Sequence, residues 1–135
     1  MSQLLVRTLL DTELKSWADA NGYSVAFEGV GGDFEPVYIR SFLIPGVVLA
    51  QFQTHRAYLG TYQMNIVVPK GQGMALAEAI KDSLDSRFYV NMNLVSGGLT
   101  LVVTDPVSAN RPIQEPDATV LPVYFRYRAD KVIGG

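Results

Sequence analysis

The stretch Tyr58–Gly73, YLGTYQMNIVVPKGQG, runs directly into MALAEAIKDSLDSRF over Met74–Phe88, and its reading decides the fold. Tyr62, Met64, Ile66 and Val68 alternate with Thr61, Gln63 and Asn65, the two-residue period of a strand with one buried face. The strand stops at Pro69 and turns through Lys70-Gly71-Gln72-Gly73. Ala77, Ile80, Leu84 and Phe88 then recur at three- and four-residue steps, so a helix is expected over Gln72–Phe88. The junction admits two readings. Amides at a helix start, with Lys70 beside them, can hold an anion. Glycines after a proline also simply turn a strand into a helix. Neither G-x-x-x-x-G-K-[ST] nor G-x-G-x-x-G is complete, so structural punctuation is the favoured reading.

Upstream, Ser2–Ala20 reads as an amphipathic helix. Val6, Leu10, Leu14 and Trp17 form its stripe, widened by Leu9 and Ala18, with Ser2 as N-cap and Asn21-Gly22 as stop. Tyr23–Glu28 is a short strand, followed by the flexible run Gly29-Val30-Gly31-Gly32-Asp33. Val37–Ile44 alternates, Val37, Ile39 and Leu43 opposing Tyr38, Arg40 and Phe42, and ends at Pro45-Gly46. Val47–Ala57 shows no clear period and reads as a long loop or a distorted hairpin tip. Downstream, Met92–Val95 and Leu99–Thr104 flank the hairpin signal Ser96-Gly97-Gly98. Asp105–Ala118, with three prolines, reads as an exposed loop without ladder pairing. Val120–Arg128 alternates again, with Val123, Phe125 and Tyr127 opposite Tyr124, Arg126 and Arg128. The order α-β-β-β-α-β-β-β implies a single α+β domain, residues 1–135, with two helices on one face of a mostly antiparallel sheet.

Composition narrows the chemistry. At 135 residues, 48% hydrophobic and 18% charged, the chain can bury a substantial core and is not disordered. A net charge of −2 and a pI near 5.3 argue against a general nucleic-acid binder. Cysteine is absent, which removes disulfides, thiolate nucleophiles and cysteine-type zinc sites. His55 is the single histidine, so no multi-histidine metal site forms within one chain. The N-terminal stretch lacks the pattern of a signal peptide and no apolar run spans a bilayer. A protein made in a reducing cytoplasm fits.

No catalytic, cofactor or metal constellation emerges. Glu28, Asp33 and Glu35 surround a glycine-rich loop without the regular oxygen spacing of a calcium loop. His55, beside Arg56, has no nucleophile near it in sequence and reads as a contact-loop residue. Arg40, Arg126 and Arg128 share the outward register with Tyr38, Phe42 and Tyr124. Arginine mixed with aromatics is the composition interfaces favour. The strands offer these arginines no acid in register, so their carboxylate partners are expected from an adjacent subunit. Arg40, His55, Arg56, Arg111, Arg126 and Arg128 are the candidate interface residues.

The helix ending in Trp17, PVYIRSFLIP over Pro36–Pro45, Tyr58–Ile80, the hairpin ending at Asp105-Pro106 and PVYFRYRAD over Pro122–Asp130 appear in that order. Together they resemble the tail terminator (tail completion) proteins of long-tailed bacteriophages. Val47–Ala57 and Val107–Thr119 carry little of the likeness. The resemblance implies a virion protein made in the host cytoplasm, with no enzymatic residues to transfer. It implies a homo-oligomeric ring, a hexamer, on the last ring of the tail tube. Such a ring stops tube polymerisation and offers a surface to the head–tail connector. Its partners would be further copies of itself, the major tail tube protein and the connector, with DNA only passing through the lumen and no membrane. Mild acidity suits a channel that must not grip DNA. Two alternatives stay open: another neck, head-completion or tail-tube-like protein, or a small anion-binding regulatory domain using the Lys70–Gly73 turn.

Overall fold

The computed structural model describes residues 2–29, 36–52, 55–71 and 74–132. Three strands of fifteen residues form its frame: β2 (Tyr38–Phe52), β3 (His55–Pro69) and β8 (Ala118–Val132). Shorter strands complete one sheet: β1 (Ser24–Ala26), β4 (Asn93–Ser96), β5 (Leu99–Val103), β6 (Ser108–Ala109) and β7 (Ile113–Gln114). The order is β1-β2-β3-β8-β5-β4, with β6 and β7 also paired to β8. The β1–β2 pair is parallel and the other described pairs are antiparallel.

Helices α1 (Ser2–Asn21) and α2 (Ala75–Arg87) cover one face. That face is the one the alternation marks: Tyr62, Met64 and Ile66 of β3 oppose Phe125, Val123 and Leu121 of β8, and all six are buried. The stripe Val6, Leu10, Leu14, Trp17 and the stripe Ala77, Ile80, Leu84 close over them. Phe88 stacks on Phe125 at 5.0 Å between ring centroids, and Tyr62 leans on both. Trp17 Nε1 donates to Ser83 Oγ at 2.9 Å and Arg87 Nε to Glu13 Oε1 at 2.9 Å, joining the helices. Gly22, at φ +77°, ends α1 while the Tyr23 amide reaches back to the Ala18 carbonyl at 2.9 Å. This is the left-handed cap expected of Asn21-Gly22.

Three segments differ from the sequence expectation, and in a fourth one of two readings holds. In Val47–Ala57 the distorted hairpin is found rather than the long loop: β2 continues through Pro45-Gly46 to Phe52 by register shifts, and β3 begins at His55. Gly46 permits this, because a Cβ there would lie 2.8 Å from the Leu59 carbonyl oxygen. Asp105–Ala118 is not a free loop, since β6 and β7 pair with β8 and Val107 is buried. Its prolines cut the pairing into two-residue pieces, as residues without an amide donor must. The strand expected over Tyr23–Glu28 is trimmed to Ser24–Ala26. Helix α2 starts at Ala75, and Gln72 and Gly73, like residues 30–35, lie outside the described residues.

Candidate interface surface

Alternation puts every second side chain of β2, β3 and β8 on the face without helices. Tyr38, Arg40, Phe42 and Ile44 come from β2, Thr61, Gln63 and Asn65 from β3, and Pro122, Tyr124, Arg126, Arg128 and Asp130 from β8. Directly opposed trios run across it: Arg40–Asn65–Pro122, Phe42–Gln63–Tyr124 and Ile44–Thr61–Arg126. Strand β3 therefore separates Arg40 from Arg126 and Arg128.

The expectation that these arginines lack acids within the chain is corrected. Arg40 makes a forked pair with Glu115, Nη1 to Oε2 at 3.1 Å and Nη2 to Oε1 at 3.2 Å. It also donates to the Tyr38 hydroxyl at 2.9 Å. The Glu115 bonds raise the Arg40 pKa above its ordinary value. Arg128 Nε donates to Asp130 Oδ2 at 3.0 Å, and His55 Nε2 lies 2.9 Å from Asp130 Oδ1. The Arg128 bond, then His55, holds the Asp130 carboxyl below the usual carboxylate range despite partial burial. Arg56 Nη1 donates to the His55 carbonyl at 3.1 Å. These pairs are half-exposed, so each contributes about 1 kcal/mol or less to folding.

Arg126 differs. Its side chain is 71% exposed and its Nε lies 3.9 Å from Asp105 Oδ2, beyond hydrogen-bond range. It borders a cleft of about 420 Å³ beside Arg128, lined also by Gly46, Gly60, Thr61 and Thr104. Arg111, between β6 and β7, is exposed and forms no ion pair among the described residues. The structure thus brings Arg126 and Arg128 to one cleft and His55 and Arg56 to the hairpin tip, with Arg40 across β3.

The other sequence candidates resolve into structure. The Lys70 amide donates to the Asp117 carbonyl at 3.3 Å and Gly71 sits at φ +89°, which ties the turn to the β7–β8 connection. Glu28 takes a 2.9 Å bond from Arg7 and a 3.1 Å bond from the Leu43 amide. The Arg7 bond, then the Leu43 amide, lowers its pKa. Asp33 and Glu35 lie outside the described residues, among which no cluster of metal-ligating side chains occurs. One polar pair had no sequence signal: the Tyr62 hydroxyl donates to Asp11 Oδ1 at 2.6 Å across 51 positions. Burial raises the Asp11 pKa against that bond, and burial also raises that of Tyr62. Among the described residues no helix is long and apolar enough to cross a membrane.

Comparison with known proteins agrees with this architecture. One solved structure is 31% identical over 96% of each chain, with a TM-score of 0.80. A chain from the virion of a native gene transfer agent particle is 20% identical over 92% of this chain and 93% of its own, with a TM-score of 0.64, a likeness of fold. No curated protein matches. The phage tail terminator protein family matches over residues 5–127, from α1 into β8. The chain belongs to that family and is a structural protein of the phage tail.

Proposed function

We propose that copies of this chain close into a ring, a hexamer, which seats on the last ring of the tail tube. The ring ends tube polymerisation and offers its opposite side to the head–tail connector, while DNA passes through the lumen. The observation that carries this reading is the family match over residues 5–127. The surface supports it, because both helices occupy one face and leave arginines, tyrosines and a phenylalanine on the other. Closure by rotation requires two different patches on each subunit. Arg126 and Arg111 are proposed as subunit or partner contacts, as are His55 and Arg56 at the hairpin tip. Arg40 and Arg128 contribute there through pairs already formed within the chain.

Native mass spectrometry of the purified chain, alone and with polymerising tail tube protein, tests this. The expected result is one closed oligomer and tubes of arrested length. A chain that stays monomeric with tubes present and leaves their length unchanged overturns the reading.

A further inference from the structure

The sheet has two open edges at the same height. Strand β1 covers β2 only at Tyr38–Arg40, and the Glu28 carboxylate takes the Leu43 amide just beyond. Past that point β2 has no strand on its outer side among the described residues. At the other edge, among the described residues, β4 pairs with β5 alone. One row of directly opposed residues runs Leu49–Ala57–Asp130–Thr100–Val95. The next runs Val48–Tyr58–Ala129–Leu101–Leu94, and the one on the far side joins Ala50 to Ser96. Each row begins on the open stretch of β2 and ends on β4.

Both edges are apolar and uncharged. Val47, Val48 and Leu49 are 61%, 49% and 38% exposed, and Val95 is 68% exposed. Exposed strand edges are usually blunted by charge, lysine above all. Neither Ile44–Leu49 (IPGVVL) nor Asn93–Ser96 (NLVS) carries a charged residue. Their faces also match. Placed side by side, Val48 would meet Leu94 on the helix-bearing face, and Leu49 would meet Val95 on the other.

We propose that β2 of one copy adds to β4 of the next, so that the sheet runs on from subunit to subunit through the 48–50 and 94–96 segments. The occupant of each edge is a second copy of this chain. The inference rests on the ring reading and names its joint. Successive antiparallel pairings across five strands leave β2 and β4 running in the same direction. A head-to-tail repeat keeps that direction, so the new pair is parallel. The joint is heterologous, one edge meeting a different one, as a closed ring requires.

The absence of cysteine makes the test direct. Within one copy Leu49 and Val95 are four strand spacings apart, roughly 19 Å, too far for a disulfide. Across the proposed joint they are roughly 5 Å apart. Oxidised protein carrying Leu49→Cys and Val95→Cys together is expected to run as a ladder ending at the ring size on a non-reducing gel. Each single variant is expected to run as a monomer. Leu49→Lys is expected to raise the concentration for half-assembly at least about tenfold while leaving the circular dichroism spectrum unchanged. Rings without a ladder, or assembly by Leu49→Lys equal to the parent, overturn the joint and leave the ring standing. Disulfide dimers of a single variant overturn it too, because they report a two-fold contact. A parent that forms no ring, even with tail tubes, removes the ring reading and this inference with it.

Discussion

Tyr127 fills the space that a side chain at Gly60 would need: a Cβ built on Gly60 would lie 2.5 Å from the Tyr127 hydroxyl oxygen and 2.8 Å from the Ile44 carbonyl. Gly60→Ala must therefore push backbone as well as ring, and a loss of about 1–3 kcal/mol is expected by chemical denaturation. The Tyr127 hydroxyl itself is buried with no hydrogen-bond partner among the described residues, and burial pushes its pKa up to about 12. Tyr127→Phe removes that orphan and is expected to leave stability equal or raise it by about 1 kcal/mol. A fall in melting temperature for Tyr127→Phe would show that the hydroxyl is satisfied in solution.

The docking of α1 rests on Trp17, which is 2% exposed and stacked on Tyr23 at 5.6 Å. Trp17→Ala is expected to cost about 3–5 kcal/mol. Ser83→Ala, which takes away only the acceptor of the indole N–H, is expected to cost about 1 kcal/mol. Equal losses for the two would place the energy in the hydrogen bond rather than in packing.

Asp11 gives a pH signature. Its folded pKa lies above the unfolded value of 3.8 because burial opposes its charge. The folded state therefore binds the proton more tightly, and this contribution to stability fades as pH rises through the raised value. Asp11→Asn keeps an oxygen for the Tyr62 hydroxyl and discards the charge. It is expected to raise stability at pH 7 and to make no difference below pH 3.8, as urea melts at the two conditions would report. A variant less stable than the parent at pH 7 contradicts this.

Arg126→Ala is expected to leave the monomer's melt unchanged, since the side chain is 71% exposed and its nearest carboxylate is 3.9 Å away. Ring formation is expected to weaken, and the gap between variant and parent to narrow as salt screens the contact. Sedimentation at several ionic strengths decides. Assembly identical to the parent would make this arginine a solvated surface residue.

Regular periods were legible: the stripe Val6, Leu10, Leu14, Trp17 and the alternation Tyr62–Val68 fixed both helices to one sheet face. Punctuation misled. Pro45-Gly46 looks like a strand end, yet a bulge absorbs it because Gly46 offers no Cβ to the Leu59 carbonyl. The prolines of Asp105–Ala118 forbid a long ladder but allow two-residue bridges. Asp130 stands two residues after Arg128, and so on its face, but ending the strand at Arg128 hid the pair. Glu115 and Arg40 are 75 positions apart, a distance at which no local pattern speaks.

The place of β8 bears on when the subunit can exist at all. It pairs with β3, β5, β6 and β7, yet follows all of them in the chain. During synthesis the β2–β3 hairpin and the β4–β5 hairpin emerge as separate pieces, each missing the strand that joins them. Neither has its buried face covered on both sides until residues 118–132 leave the ribosome. Such late, non-local closure slows folding. It also means that a partly translated chain presents β3 and β5 as unpaired edges, open to wrong partners until the last strand arrives.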